Sequence, residues 1–248
     1  MTMRPDDFIC TVCGTTITHV HLPFRNEWRS YGCPVCFANA QAEAELHAIQ
    51  THIEAHIAGI DDILIRLGVA RRHVHATVND FGPAYQTLHK GDKGLLLYGP
   101  RGTGKTHLMA AIMRAMILDQ LHTAREMKRR PHPHEYPRMV STTDLLREIR
   151  ATFGSHGSES ESGIIERYGR YPVLILDDLG AEQVTDWTLT TLYSVIDLRY
   201  RDMRRTFITS NLKLADLSAQ TSDRITSRIS EMCRVIRLSG LDRRLKRE

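Results

Sequence analysis

From Lys93 onward the chain alternates short apolar runs with longer stretches in which apolar residues recur every three or four positions. The short runs (Leu95–Tyr98, Met139–Ser141, Val173–Asp177, Thr206–Ser210 and Val235–Leu238) have the length and composition of buried strands. The longer stretches, at about 105–121, 143–152, 186–202 and 222–231, have helical spacing. This alternation predicts an α/β fold with a parallel sheet covered by helices on both faces. Upstream, residues 37–66 are rich in Ala, Glu and His, with Ile and Leu at helical spacing, and predict one helix or two broken near Gly59. Gly68 ends that zone, and a connector leads to Lys93. The first 36 residues form a short, turn-rich and cysteine-bearing zone. Three parts are therefore expected: 1–36, a helical linker at 37–66, and the sheet domain at 67–248. Two stretches interrupt the sheet domain. Residues 122–138 are basic and broken by proline, predicting a loop or a frayed helix end. Residues 154–163, GSHGSESESG, predict a flexible polar loop.

Composition narrows this picture only a little. The chain has 248 residues, enough for one full domain and a smaller appendage. It has no run of eighteen apolar residues and no apolar leader, so the expectation is a cytoplasmic protein with no membrane partner. The net charge of +4 is compatible with a nucleic-acid partner without demanding one. Arg125, Lys128, Arg129, Arg130 and Arg138 crowd the interrupting segment, which is either a DNA-contacting surface or a plain solvated loop. Four of the five cysteines fall within the first 36 residues; Cys233 stands alone beside a strand and should be buried and inert.

The chemistry is concentrated after the first strand. Gly99, Pro100, Arg101, Gly102, Thr103, Gly104, Lys105 and Thr106 read GPRGTGKT, between a strand and a helix that opens with His107. This is the context of a P-loop. Glycines let backbone amides turn inward around phosphate oxygens, and the helix N-terminus adds its positive dipole end. Lys105 would reach the terminal phosphates of ATP, and the Thr106 hydroxyl would ligate magnesium. A glycine-rich turn that merely caps a helix would lack the GKT sequence.

An acidic strand, LILDD, ends in Asp177 and Asp178. Beside a P-loop, Asp177 is placed to hold magnesium and Asp178 to polarise the attacking water. Asp178 is shorter than the glutamate often found there, which leaves the efficiency of hydrolysis open. In TFITSN, Asn211 follows a strand and would orient the water near the γ-phosphate, a sensor role; alone it would be an ordinary turn residue. In DRITSRI, Arg224 and Arg228 lie four apart on one helical face. They are either solvated surface groups or an arginine finger for a neighbouring subunit, with Arg228 as the finger and Arg224 as its support or substitute.

GPRGTGKTHL, LILDDLG, TFITSN and DRITSRI, in this order, resemble the DnaC/IstB group of AAA+ ATPases, the bacterial and phage helicase loaders. The connector LGVARRHVHATVNDF and the helix STTDLLREIRATF are similar to that group as well, so the resemblance spans about 67–244. It implies a five-stranded sheet of order 5-1-4-3-2, a reduced lid, and homo-oligomers forming an open ring or spiral. It assigns Lys105 and Thr106 to ATP and magnesium, Asp177 and Asp178 to the acidic strand, Asn211 to sensor 1, and Arg228 to the finger. Arg244 becomes a candidate for sensor 2. In such a ring the regions of Phe153 and Trp187 face the pore, where the pair would either stack bases or simply pack in the core.

Cys10-x2-Cys13 and Cys33-x2-Cys36, nineteen residues apart, read as a four-cysteine zinc ribbon in which each knuckle presents two thiolates to one ion. So small a segment cannot bury enough apolar surface to fold unaided, so the metal would supply the stability. Between the knuckles TITHVHL alternates like a strand, making His19 and His21 strand residues and not ligands. By the family resemblance, the ribbon and the 37–66 helix would grip a replicative helicase. His52 and His56 on that helix are expected to be solvated.

The leading expectation is thus an ATP-dependent loader that places a replicative helicase on single-stranded DNA. The alternative keeps the ATPase and makes it an IstB-like helper of a DNA transposase. A third reading is a DNA-binding adaptor in which ATP is structural; a small-molecule kinase leaves the ribbon and the finger segment without a use.

Overall fold

Five of the apolar runs form one parallel sheet, in the order β6-β7-β8-β5-β9. These strands are β5 (Gly94–Tyr98), β6 (Arg138–Ser141), β7 (Val173–Leu179), β8 (Arg205–Ser210) and β9 (Cys233–Arg237). Counting strands within the sheet domain, this is the expected 5-1-4-3-2 order. The computed structural model describes residues 8–17, 20–22, 27–29, 33–153 and 159–240.

Parallel neighbours need long crossovers, and helices supply them. These are α3 (Lys105–Glu126), α4 (Thr142–Arg150), α5 (Glu161–Arg170), α6 (Asp186–Arg201), α7 (Leu214–Gln220) and α8 (Asp223–Met232). Four of them start where the sequence supplies a capping hydroxyl. Ser141, Ser160, Thr185 and Ser222 each accept a backbone N–H from the first turn of α4, α5, α6 and α8, respectively.

Leu96, Leu174, Leu176 and Ile208 join one core cluster with Leu145, Ile149, Leu192, Ile196, Ile225 and Ile229 of the helices. By the two-residue strand period, Leu95, Leu97, Ile175 and Phe207 occupy the opposite face, and all are essentially inaccessible. Arg199 of α6 is buried, and among the described residues no carboxylate pairs with it. Its guanidinium donates to the carbonyls of Tyr168, Gly169, Tyr171 and Arg205 and to the Thr206 hydroxyl, tying the end of α5 to β8.

Two helices were not anticipated. α5 begins inside the segment expected to be a flexible loop, of which 154–158 lie outside the described residues. Its apolar residues are few and Gly163 and Gly169 lower its propensity, although Ser160 was a legible cap. α7 is seven residues long and buries only Leu217.

Contacts divide the chain into two compact units, Met1–Ala55 with Ala124–Arg130, and His56–Thr123 with Pro131–Glu248. The first unit holds two short antiparallel pairs, β1 (Phe8–Ile9) with β2 (Thr16–Ile17) and β3 (Val20–Leu22) with β4 (Glu27–Arg29). His21 lies in β3, as the alternation predicts, and His19 lies outside the described residues. The helix α1 (Pro34–Ala58) follows, and α2 (Ile60–Arg66) resumes after the anticipated break at Gly59. In the basic segment, Arg125 lies in the last turn of α3 and pairs loosely with Glu54 at 3.9 Å.

Gly68 matters to the second unit. With φ at +105° it lets the connector pass so close to β6 that a Cβ would sit 1.9 Å from the Met139 carbonyl oxygen. The Met139 amide in turn donates to the Leu67 carbonyl at 2.9 Å.

Candidate functional site

The loop between β5 and α3 turns on glycines at positive φ: Gly99 at 151°, Gly102 at 78° and Gly104 at 94°. At Gly99 any Cβ would meet the Leu238 carbonyl oxygen at 2.1 Å. The loop closes around the Lys105 ammonium, which donates to the carbonyls of Gly99 (2.8 Å) and Pro100 (2.9 Å) and to Asn211 Oδ1 (2.8 Å). Lys105 is 6% exposed, a charge held by three oxygens in place of water.

Asn211 carries the chain of contacts onward, its Nδ2 donating to Asp178 Oδ1 at 2.7 Å. Beside it the Thr106 hydroxyl lies 3.1 Å from both oxygens of Asp177. Burial pushes the Asp177 carboxyl above the usual carboxylate range, against hydrogen bonds from Thr209 and Thr106. A divalent cation at this carboxylate would relieve that penalty, and Thr106 and Asp177 offer it a hydroxyl and a carboxylate oxygen, the hard donors that magnesium takes. The residues present thus fit a magnesium ion.

A cleft of about 1000 Å³ opens over this group. Arg101, Gly102, Gly104, Lys105, Thr106, His107, Asp178 and Asn211 line it, so eight residues singled out from the sequence converge on one space. Gly99, Pro100 and Thr103 complete the loop behind it, and Thr103 donates to the Pro100 carbonyl. The sequence reading missed the third wall, formed by Ala70, Arg72 and His73 of the connector. His73 Nδ1 lies 3.3 Å from His107 Nδ1, and His107 Nε2 lies 3.1 Å from Asp80 Oδ2. The signal was present in ARRH, but no local spacing marks a connector residue as part of a pocket.

Arg224 and Arg228 do not line this cleft. Arg224 is exposed on α8. Arg228 is clamped against α6: its Nε donates to Asp197 at 2.8 Å and its Nη2 to the Tyr193 hydroxyl at 2.9 Å, with its guanidinium stacked over Tyr193 and Tyr200. Arg244 lies outside the described residues. Phe153 and Trp187 meet edge to face at 5.5 Å, Phe153 is half exposed, and Arg150 lies 4.7 Å over the Trp187 ring.

A matching family model spans residues 87–248, and its description is IstB-like ATP binding protein. The chain belongs to this family. It is also 31% identical over 181 residues to the replicative helicase loader DnaI of Bacillus subtilis (strain 168), covering 67% of this chain and 52% of that protein. It is 23% identical over 142 residues to the replicative helicase loader DnaC of Buchnera aphidicola subsp. Baizongia pistaciae, covering 57% and 52%. The chain thus spans about half the length of these relatives. Among solved structures, the DnaC helicase loader superposes with a TM-score of 0.56 at 24% identity, over 68% of this chain and 100% of that one. DnaI superposes with a TM-score of 0.54 at 23% identity, over 71% and 94%. At such identities these likenesses speak for the fold, a five-stranded AAA+ sheet, and the family for ATP binding.

The family model leaves the first 86 residues unmatched. There the sulfur atoms of Cys10, Cys13, Cys33 and Cys36 lie within 4.8 Å of one another. Cys10 and Cys36 are 3.6 Å apart, and Cys13 and Cys33 3.3 Å. Four sulfurs around a tetrahedral zinc at about 2.3 Å would be spaced by about 3.8 Å, so the cluster fits that ion with little movement. One knuckle is the turn joining β1 to β2, closed by Gly14 at φ +72°; the other is the first turn of α1. Hydrogen bonding with Thr15 draws the Cys13 thiol down to about 6, while its thiol neighbours Cys13 and Cys10 push Cys36 up to about 12. No helix among the described residues is long and apolar enough to cross a membrane.

Proposed function

We propose that this family member is an ATPase that loads a replicative helicase onto single-stranded DNA. The observation that carries it is the continuous chain Lys105–Asn211–Asp178 beside Thr106–Asp177, which joins every phosphate-handling group to one cleft in a chain similar to helicase loaders. ATP would enter with its phosphates over the loop, and Lys105 would turn from the Gly99 and Pro100 carbonyls to phosphate oxygens. Thr106 and Asp177 would hold magnesium, which when bound neutralises charge on the β- and γ-phosphates. Asn211 and Asp178 would orient and polarise the attacking water. The cofactor-binding set is then Gly99, Pro100, Arg101, Gly102, Thr103, Gly104, Lys105, Thr106 and His107, with Ala70, Arg72 and His73 added.

The two arginines divide the remaining role. Arg224, exposed on α8, would reach a neighbouring subunit's site, and Arg228, anchored to α6, would hold α8 at the right pitch. ATP would thus bind between subunits of a homo-oligomeric ring or spiral. Phe153, Trp187 and Arg150 offer stacking faces and a cation for single-stranded DNA, and the basic 122–138 segment a second contact. We assign residues 1–36 to a zinc module, 37–66 to a helical partner-binding linker and 67–248 to the ATPase domain; the module and linker together would bind the helicase. The test is capture of a replicative helicase by the purified protein with and without residues 1–66. Capture that disappears with the truncation supports the loader. The IstB-like family match favours one other reading, a transposase helper; no helicase capture together with ATP-dependent binding of duplex DNA would select it.

A further inference from the structure

Asp177 and Asp178 are consecutive residues of one strand, and in a regular strand consecutive side chains point to opposite faces. Yet both carboxylates serve the same site: Asp177 meets Thr106, and Asp178 meets Asn211 and lines the cleft. The pairing of β7 with β8 explains how. Leu176 pairs with Ile208 and Leu179 with Ser210, so two residues of β7, Asp177 and Asp178, lie opposite the single residue Thr209. This is a bulge, a device that re-aims a side chain at the cost of a ladder hydrogen bond. Asp178 completes the turn at φ +61°, a left-handed conformation that Asp tolerates better than most residues.

Thr209 fills the gap the bulge leaves. Its hydroxyl donates to Asp177 Oδ1 at 2.7 Å and accepts the Asp178 amide at 2.8 Å. Because the amide occupies a lone pair, the hydroxyl proton is directed to the carboxylate. Thr209 is 1% exposed, so no bulk water can replace either bond. A single buried hydroxyl thus fixes the carboxylate of the first acid and the strained backbone of the second.

We propose that Thr209 is a positioning residue for ATP hydrolysis, whose hydroxyl bridges the bulged strand so that two adjacent acids act on one bound nucleotide. The proposal rests on the reading of the cleft as a site for ATP and magnesium. Thr209→Val keeps the shape and removes both bonds; Thr209→Ser keeps the hydroxyl. Nucleotide affinity is measured with fluorescent ATP in EDTA and in magnesium, alongside kcat and KM for hydrolysis and a thermal melt.

Thr209→Val should bind ATP in EDTA as the wild type does, because the loop amides and Lys105 are untouched. It should need about tenfold more magnesium and lose about tenfold or more in kcat, the scale of one buried hydrogen bond to a charged group. Thr209→Ser should stay within about threefold of wild type, since the hydroxyl and both its bonds remain. Should Thr209→Val melt below the assay temperature, Thr209→Ala takes its place in the same comparison with Thr209→Ser. Wild-type magnesium dependence and kcat in the valine variant would overturn the proposal. So would equal losses in the valine and serine variants accompanied by weaker binding in EDTA, the pattern of a merely structural role. A wild-type protein that binds no ATP would overturn the cleft reading and this proposal together, whereas binding and hydrolysis indifferent to Thr209 would overturn this proposal alone.

Discussion

Replacing each of the two α8 arginines by alanine separates anchoring from catalysis. Arg228 makes a paired contact with Asp197, both side chains being about one-fifth exposed, a hydrogen bond to the Tyr193 hydroxyl, and two ring contacts. A hydrogen bond involving a charged group is worth about 1.5–3 kcal/mol and a partly exposed cation–π contact about 0.5–1 kcal/mol. Asp197 keeps Arg201 at 3.4 Å after the change, which limits the penalty of an orphaned carboxylate. Arg228→Ala should therefore cost about 2–3 kcal/mol, and at about 2–4 °C per kcal/mol for a chain of this size the melting temperature should fall by about 4–12 °C. Arg224 makes no hydrogen bond or ion pair through its side chain among the described residues, so Arg224→Ala should leave stability within about 0.5 kcal/mol. Its loss should appear in hydrolysis, where a trans-acting arginine contributes about 10³-fold or more. The assay is hydrolysis by each variant alone and by Arg224→Ala mixed with Lys105→Ala. The first supplies an intact ATP site and the second an intact arginine, so the mixture should recover activity that neither has alone. An Arg228→Ala protein with an unchanged melting temperature and no hydrolysis, beside an active Arg224→Ala, would refute the assignment and return the finger to Arg228.

Three further outcomes follow from local geometry. Gly68→Ala should destabilise the protein by more than about 2 kcal/mol, because its Cβ collides with the Met139 carbonyl at a positive φ; a calorimetric melt equal to wild type would contradict the packing. Stripping metal from the purified protein with a chelator, or Cys13→Ser, should abolish one equivalent of bound zinc and expose 1–55 to protease while leaving ATP binding within about twofold, the two sites being separate in the chain; unchanged zinc content in Cys13→Ser would rule out the four-thiolate site. For pH, burial raises the Glu148 pKa, but hydrogen bonds from Tyr168 and Arg167 and the charge of Arg167 outweigh it, and the net shift is below the ordinary 4.5. Its contribution is therefore fully present above about pH 4.5 and is lost as pH falls through the folded-state value. Asp177 and Glu182, raised by burial, act in the opposite sense, so the readout is the difference between wild type and Glu148→Gln in melting temperature, which should shrink on acidification below pH 4.5; a difference constant from pH 7 to pH 3 would contradict it.

The sheet and the phosphate loop were legible because each rests on a local rule: buried strands read as apolar runs, and GKT after a strand has one common use. The order of the strands came from the family resemblance and not from any run by itself. α5 was not legible, since its two glycines and serine-rich approach outweigh its two buried apolar residues, Ile164 and Tyr168, in any window of sequence, and it is held by Arg199 and by Leu198 packing on Gly169 from α6. Ala70, Arg72 and His73 were missed for a related reason: a pocket wall made by a connector is defined by where the chain returns, and Gly68 beside Met139 decides that. Arg228 shows the reverse limit. Its spacing from Arg224 announces a shared helical face, but only the tyrosines and Asp197 of α6 distinguish the anchored arginine from the exposed one.

The polar groups of the cleft satisfy one another, and that bears on how the proposed reaction would be gated. Lys105 has three oxygen acceptors, Thr106 has Asp177, and Asn211 both accepts from Lys105 and donates to Asp178. ATP binding on this reading exchanges hydrogen bonds and does not simply add them, so affinity follows the difference between two satisfied states. The exchange is ordered by connectivity. Once Lys105 turns to phosphate it releases Asn211, and Asn211 is what restrains Asp178. On the proposed reading, the Asn211 amide oxygen would thus become available to the attacking water only when the lysine has found a nucleotide, while the Asn211 amide nitrogen still holds Asp178 and Thr209 holds the backbone beneath them. A site built this way would, on that reading, tie the readiness of its acids to occupancy of its loop, and would leave the proposed finger, Arg224 of a neighbouring copy, to determine when hydrolysis follows.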